Sequence, residues 1–104
     1  MKKANVFVNG CLAGELLEIQ RNKNYRFIYS QGFQGPSVSL TMPVIHSIYE
    51  FDRFPPFFEG LLPEGAMLEG LLRYTKIDRN DFMSQIIAVG KDLVGNVTVE
   101  ASNE

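Results

Sequence analysis

The sequence predicts an α+β fold: a mainly antiparallel sheet with two or three short helices packed on one of its faces. Three observations lead there. Apolar and polar residues alternate through much of the chain up to Met42, apolar residues recur at helical spacing between Leu68 and Val89, and valines return near the end, at Val94, Val97 and Val99. Strands, then helices, then a strand bring both ends of the chain into the sheet. Residues 1–104 therefore read as a single domain, without repeat or flexible linker.

Val6, Val8, Leu12 and Leu16 flank Asn9-Gly10, a dipeptide that tolerates positive φ at both central positions of a type I′ turn. Residues 4–8 and 11–18 are the expected hairpin. Asn22-Lys23-Asn24 is a polar turn, after which Tyr25 to Tyr29 alternates aromatic with other side chains as a third strand. Gly32, Gly35 and Pro36 mark a loop. Val38, Leu40 and Met42 then alternate with Ser37, Ser39 and Thr41, the pattern of a half-buried fourth strand that Pro43 ends. From Val44 to Phe54 the apolar residues keep no clean period, and an irregular covering segment is expected.

The stretch from Pro55 to Gly65 combines prolines, glycines and large apolar residues. Proline at the first helical turn has its φ already set and loses no hydrogen bond, so Pro55 or Pro56 starts a short helix. Leu62 stands before Pro63 and should end it; Pro63 can open a second helix, with Glu64 near its positive end. Leu68, Leu71 and Leu72 continue that helix, with Glu69 and Arg73 as an i,i+4 pair. Asp78 as N-cap, Asp81 three residues on, the apolar face Phe82, Ile86 and Val89, and Gly90 as the C′ residue predict a helix over 79–89. A last strand carries Val94, Val97 and Val99 with an interruption at Gly95, and the polar tail from Ala101 to Glu104 is expected to fray.

Composition excludes several classes. With 45% hydrophobic and 21% charged residues, this is a globular chain, long enough for one core without staples. A net charge of −2 offers no field for a polyanion, so direct nucleic-acid binding is not expected. The single cysteine, Cys11, cannot form an internal disulfide, and no Cys and His spacing suits zinc. Lys2 and Lys3 are not followed by an unbroken apolar run, and nothing approaches transmembrane length, which points to the cytoplasm rather than a membrane or secretion. Asn96-Val97-Thr98 fits a glycosylation triplet of the kind that arises by chance.

No catalytic constellation stands out. His46 is the only histidine and has no nucleophile motif beside it; Cys11 has no basic neighbour; Gly32 and Gly35 lack the rest of a phosphate-binding fingerprint. Asp52, Glu59, Glu64 and Glu69 are near in sequence, but no spacing forces two of them to converge as acid and base. An enzyme is not expected, and no cofactor or metal is implied. Phe57, Phe58, Leu61 and Leu62 leave two readings open: core alone, or core plus a contact surface on a stiff corner that loses little entropy on docking.

Leu40-Thr41-Met42-Pro43, the whole run from Pro55 to Gly65, Leu71-Leu72-Arg73, Lys76-Ile77-Asp78, Val89-Gly90-Lys91-Asp92 and Val94-Gly95 closely resemble, in the same order, the N-terminal subdomain of HipA-type kinases, the serine/threonine kinase toxins of bacterial toxin–antitoxin modules. As a free-standing domain the chain resembles the small HipS proteins of three-component HipBST modules. The resemblance implies an antitoxin that binds and neutralises a HipT-like kinase by docking near its active-site cleft, in company with a HipB-like DNA-binding repressor. The contact residues it implies are Phe57, Phe58, Glu59, Leu61, Leu62, Pro63, Glu64, Gly65, Ala66 and Met67. Relatives often carry a bulky residue, frequently Trp, directly after Pro-Glu-Gly, whereas here the position holds Ala66 and the chain has no Trp. Ala cannot wedge into a pocket, so either other contacts inhibit or the element is weakened. Two further readings are a structural subunit that bridges kinase and repressor without inhibiting, and an enzyme fragment that binds nucleotide.

Overall fold

Asn9 and Gly10 adopt φ of 52° and 81°, as a type I′ turn requires, and join strand β1 (Lys2–Val8) to β2 (Cys11–Gln20). The structure is a computed structural model that describes residues 1–102. β3 (Asn24–Tyr29) pairs with β2, β4 (Ile48–Phe51) with β3, and β5 (Val97–Ala101) with β1. Every pairing is antiparallel, in the order β4-β3-β2-β1-β5. Strand periodicity sends Ala4, Val6 and Val8 of β1, Leu16 of β2, Phe27 of β3 and Val97 and Val99 of β5 into one buried cluster. Phe58 of α1 (Pro56–Glu59) and Met83 and Ile86 of α3 (Phe82–Val89) join the same cluster. The expected α+β fold is the one observed.

The fourth strand is displaced. Val38 and Met42 are buried as their alternation suggests, yet residues 38–42 form no ladder; Ser39 and Met42 make only an isolated bridge. Side chains take up the backbone groups instead. The Val38 N–H donates to the Tyr29 hydroxyl at 2.9 Å, that hydroxyl donates to the Met42 carbonyl, and the Val44 N–H donates to Ser37 Oγ at 2.9 Å. Tyr49 donates to the Pro43 carbonyl in the same way. With its polar groups satisfied by side chains, the segment does not need a strand partner. The edge strand is Ile48–Phe51, inside the stretch expected to be irregular.

The corner differs in a smaller way. Pro63 is not helical: α2 (Gly65–Thr75) starts two residues later, after Glu64 in an extended conformation and with Gly65 at a φ of 59°. The helix ends at Lys76, which is left-handed (φ 63°) and donates its N–H to the Leu72 carbonyl at 3.0 Å. Glu69 pairs with Arg79 at 2.7 Å rather than with Arg73, tying α2 to the turn that leads into α3.

Asp81, not Asp78, caps α3: its carboxylate accepts from the Ser84 N–H at 3.1 Å. Asp78 contributes its carbonyl, which accepts from the buried Gln85 Nε2 at 3.0 Å. Lys2 bonds both Asp81 and Ser84, pinning the first strand to the start of the helix. Gly90 is not a left-handed C′ residue; its φ is −59° and the chain continues into a 3-10 turn, Gly90–Asp92. Its smallness has another cause, because a methyl group there would lie inside the van der Waals surface of the Val99 carbonyl. β5 begins only after Gly95, leaving Val94 outside the strand. Of the tail expected to fray, Ala101 still pairs with Ala4 and the Ser102 N–H reaches the Lys3 carbonyl; Asn103 and Glu104 lie outside the described residues. No helix among the described residues is long and apolar enough to cross a membrane.

Candidate partner-binding surface

Pro55 and Pro56 begin the corner by offering carbonyls to the N–H groups of Glu59 and Gly60, each at 3.0 Å. One turn results, and it aims its two phenylalanines differently. Phe58 is fully buried, with its ring 6.0 Å from that of Phe27. Phe57 is half-buried and meets Phe58 edge-on at 5.2 Å. Leu61, Leu62 and Pro63 are half-buried, while Glu59, Glu64, Gly65, Ala66 and Met67 are exposed. Phe58 thus has no surface to offer a partner; it belongs to the core, against which Phe57 packs. The other nine residues anticipated from sequence share one accessible ridge of chain from Phe57 to Met67.

α2 carries this ridge onward. Not one of its side chains is buried, although the helix is amphipathic. Leu68 and Leu72 turn half inward, and Met67, Leu71 and Tyr74 follow the i, i+4, i+7 spacing of a single helix face. These three form one wall of an open groove of about 640 Å³, whose other wall includes Leu93 and Val94 after the 3-10 turn. Met67, Tyr74 and Val94 are 76%, 90% and 96% exposed. Sequence reasoning missed Tyr74, Leu93 and Val94 as surface residues. The spacing from Met67 to Tyr74 was a usable signal; the placement of Val94 depends on where β5 begins, which only the fold decides.

A second apolar surface lies on the segment before β4. Leu40 is 98% exposed and Ile45 80%, on a loop held by the Tyr29 and Tyr49 hydroxyls. Burial pushes the Tyr29 phenol above its ordinary pKa, so it remains a donor to Met42 well into alkaline conditions.

Several charged groups act as structural partners, in the pairs Lys2–Asp81, Arg21–Asp78, Arg26–Glu50 and Arg79–Glu69. Glu69 is held below the usual carboxylate range, first by its hydrogen bond from Arg79 and then by that residue's charge. His46 is exposed, with its ring edge-on to Tyr49 at 6.1 Å. Cys11 is a free, exposed thiol. Among the described residues no three His, Cys, Asp or Glu side chains are placed to hold a metal ion.

The fold and the surface together define a small α+β domain that displays large apolar side chains on a prolyl corner, on a helix and on a pinned loop. The chain belongs to the family of HipA N-terminal domains, whose sequence profile matches residues 4–100. A solved structure described as the N-terminal domain of HipA toxin superposes with a TM-score of 0.78 at 26% identity, covering 100% of this chain and 95% of that one. A protein of Haemophilus influenzae, itself uncharacterized, is 27% identical over 104 residues, which make up 100% of this chain and 96% of that protein. That relative is therefore little more than this one domain. Such membership is consistent with a component of a HipBST-type module.

Proposed function

We propose that the chain is a non-catalytic antitoxin that binds a HipT-like serine/threonine kinase toxin and suppresses it by docking near the active-site cleft, through the ridge from Phe57 to Met67 and the outer face of α2. One observation carries this reading: an amphipathic helix of a HipA N-terminal domain leaves none of its side chains buried. Apolar side chains held on a helix and a prolyl corner are already ordered, so little conformational entropy is lost when a partner covers them. The near-complete coverage of the Haemophilus influenzae relative supports a domain that acts without a covalently attached kinase. Inhibition of the toxin kinase by the purified chain, read as autophosphorylation, tests the reading; full kinase activity in a stable complex would overturn it.

A second reading has its own observation. Leu40 and Ile45 form a separate apolar surface next to β4, at the opposite edge of the sheet from β5 and the groove. A bridging subunit that holds the kinase on one side and a HipB-like repressor on the other uses both surfaces. Co-expression separates the two readings: the antitoxin rescues growth alone, the bridge only with the repressor present.

A further inference from the structure

We infer that the groove between α2 and the 3-10 turn seats an amphipathic helix of the partner, one that carries a lysine or arginine beside its apolar stripe and pairs it with Asp92. This rests on the proposed function and adds the chemistry of what fills the groove.

The walls select a helix. Both are built from helical segments, α2 on one side and the end of α3 with its 3-10 turn on the other. Their backbone groups are largely used within their own turns. An extended segment laid between them would bury N–H and C=O groups without partners, whereas a helix satisfies its own. Met67, Leu71 and Tyr74 form a ridge about 10 Å long, the rise of seven helical residues, which offers a packing ridge to about two turns of a helix laid alongside it.

The charge selects a cation. Among the described residues that line the groove Asp92 is the only charged one, and none is a Lys, Arg or His. Asp92 is exposed and forms no ion pair among the described residues. Covering an apolar groove with a partner desolvates this carboxylate, which is unfavourable unless the partner supplies the opposite charge. A helix bearing Glu or Asp at that place is disfavoured for the same reason.

Two synthetic helical peptides of about 18 residues, long enough to hold helix in water, test this with the full chain. Both carry leucines at alternating three- and four-residue spacing; one has lysines flanking the leucines and the other has glutamates. Fluorescence anisotropy should show the lysine peptide binding at least about tenfold more tightly, and Asp92→Asn should erase that preference. Met67→Ser should weaken both peptides, and Val94→Ser serves in its place should that variant unfold; Leu40→Ser should change neither affinity. Equal binding of the two peptides, or a preference that survives Asp92→Asn, overturns the inference. Kinase inhibition measured on the same preparations keeps the questions apart. Inhibition without peptide preference defeats the groove chemistry alone, and loss of inhibition with the preference intact defeats the antitoxin reading alone.

Discussion

The hydroxyl of Tyr29 accepts the Val38 N–H at 2.9 Å and donates to the Met42 carbonyl, so one side chain of β3 closes a loop from within the core. Tyr29→Phe keeps the ring, which stacks on Phe33 with centroids 5.9 Å apart, and removes the hydroxyl with its bonds to Val38 and Met42 and its interaction with Ser37. Leaving buried backbone groups unsatisfied costs about 1–3 kcal/mol. Urea unfolding should register that loss, and hydrogen exchange at Val38 should accelerate. An unchanged midpoint would mean that the loop is held by packing alone.

Gly90 and Gly70 should respond in opposite directions to alanine. At Gly90 the new methyl meets the Val99 carbonyl, and the backbone cannot step aside without disturbing β5; overpacking of this kind costs about 1–3 kcal/mol or more. Gly70 lies inside α2 with open space where a Cβ would go. Alanine there should stabilise the protein by up to about 1 kcal/mol through helix propensity. Thermal melts of the two variants check both signs.

Asp81 makes stability depend on acid. Burial alone would raise its pKa, but the Ser84 hydroxyl and N–H and the Lys2 ammonium favour the charged form more, and the net shift is downward. An unfolded aspartate titrates near 3.9, to about a unit. Because the folded value is lower, the stabilisation is fully present above that pH and disappears as pH falls through the folded pKa. Asp81→Asn retains a capping acceptor but does not titrate. The difference in unfolding free energy between the two proteins should be largest near neutral pH and shrink in strong acid. A difference that stays constant with pH would remove Asp81 from the linkage.

Ala66 sits exposed in the first turn of α2, directly after the left-handed Gly65, so a large side chain there has room to project. If a bulky side chain at this position adds a contact with the kinase, Ala66→Trp should inhibit the partner kinase about tenfold more strongly, equivalent to roughly 1.4 kcal/mol. Equal potency would show that other contacts suppress the kinase.

Much of the fold was legible because local signals agreed with the final packing. Asn9-Gly10 set the first hairpin, the aromatic alternation from Tyr25 to Tyr29 marked β3, and Ile86 and Val89 kept their helical period. The errors fall where a distant side chain decides. The alternation from Ser37 to Met42 is real and does bury Val38 and Met42, but the Tyr29 hydroxyl takes the hydrogen bonds that a strand would have used. β4 is short, and its four residues give too little pattern to see. Asp78 reads as the cap with Asp81 three residues on, but the cap is Asp81, on which Lys2 converges from the far end of the chain. At the surface, the sequence indicated an apolar corner but could not say that Phe58 turns inward while Phe57 stays partly outside. That division depends on Phe27, 31 positions earlier in the chain, in the sheet.

In the proposed function the outer face of α2 covers a kinase. The most direct measurement of this is the autophosphorylation of the HipT-like partner titrated with wild-type chain, with Met67→Glu and with Leu40→Ser, each verified as folded. Wild type and Leu40→Ser should suppress the kinase, with at least a tenfold loss of potency, about 1.4 kcal/mol, for Met67→Glu. Wild-type chain that leaves the kinase fully active, or a folded Met67→Glu that inhibits as well as wild type, would contradict the proposed function.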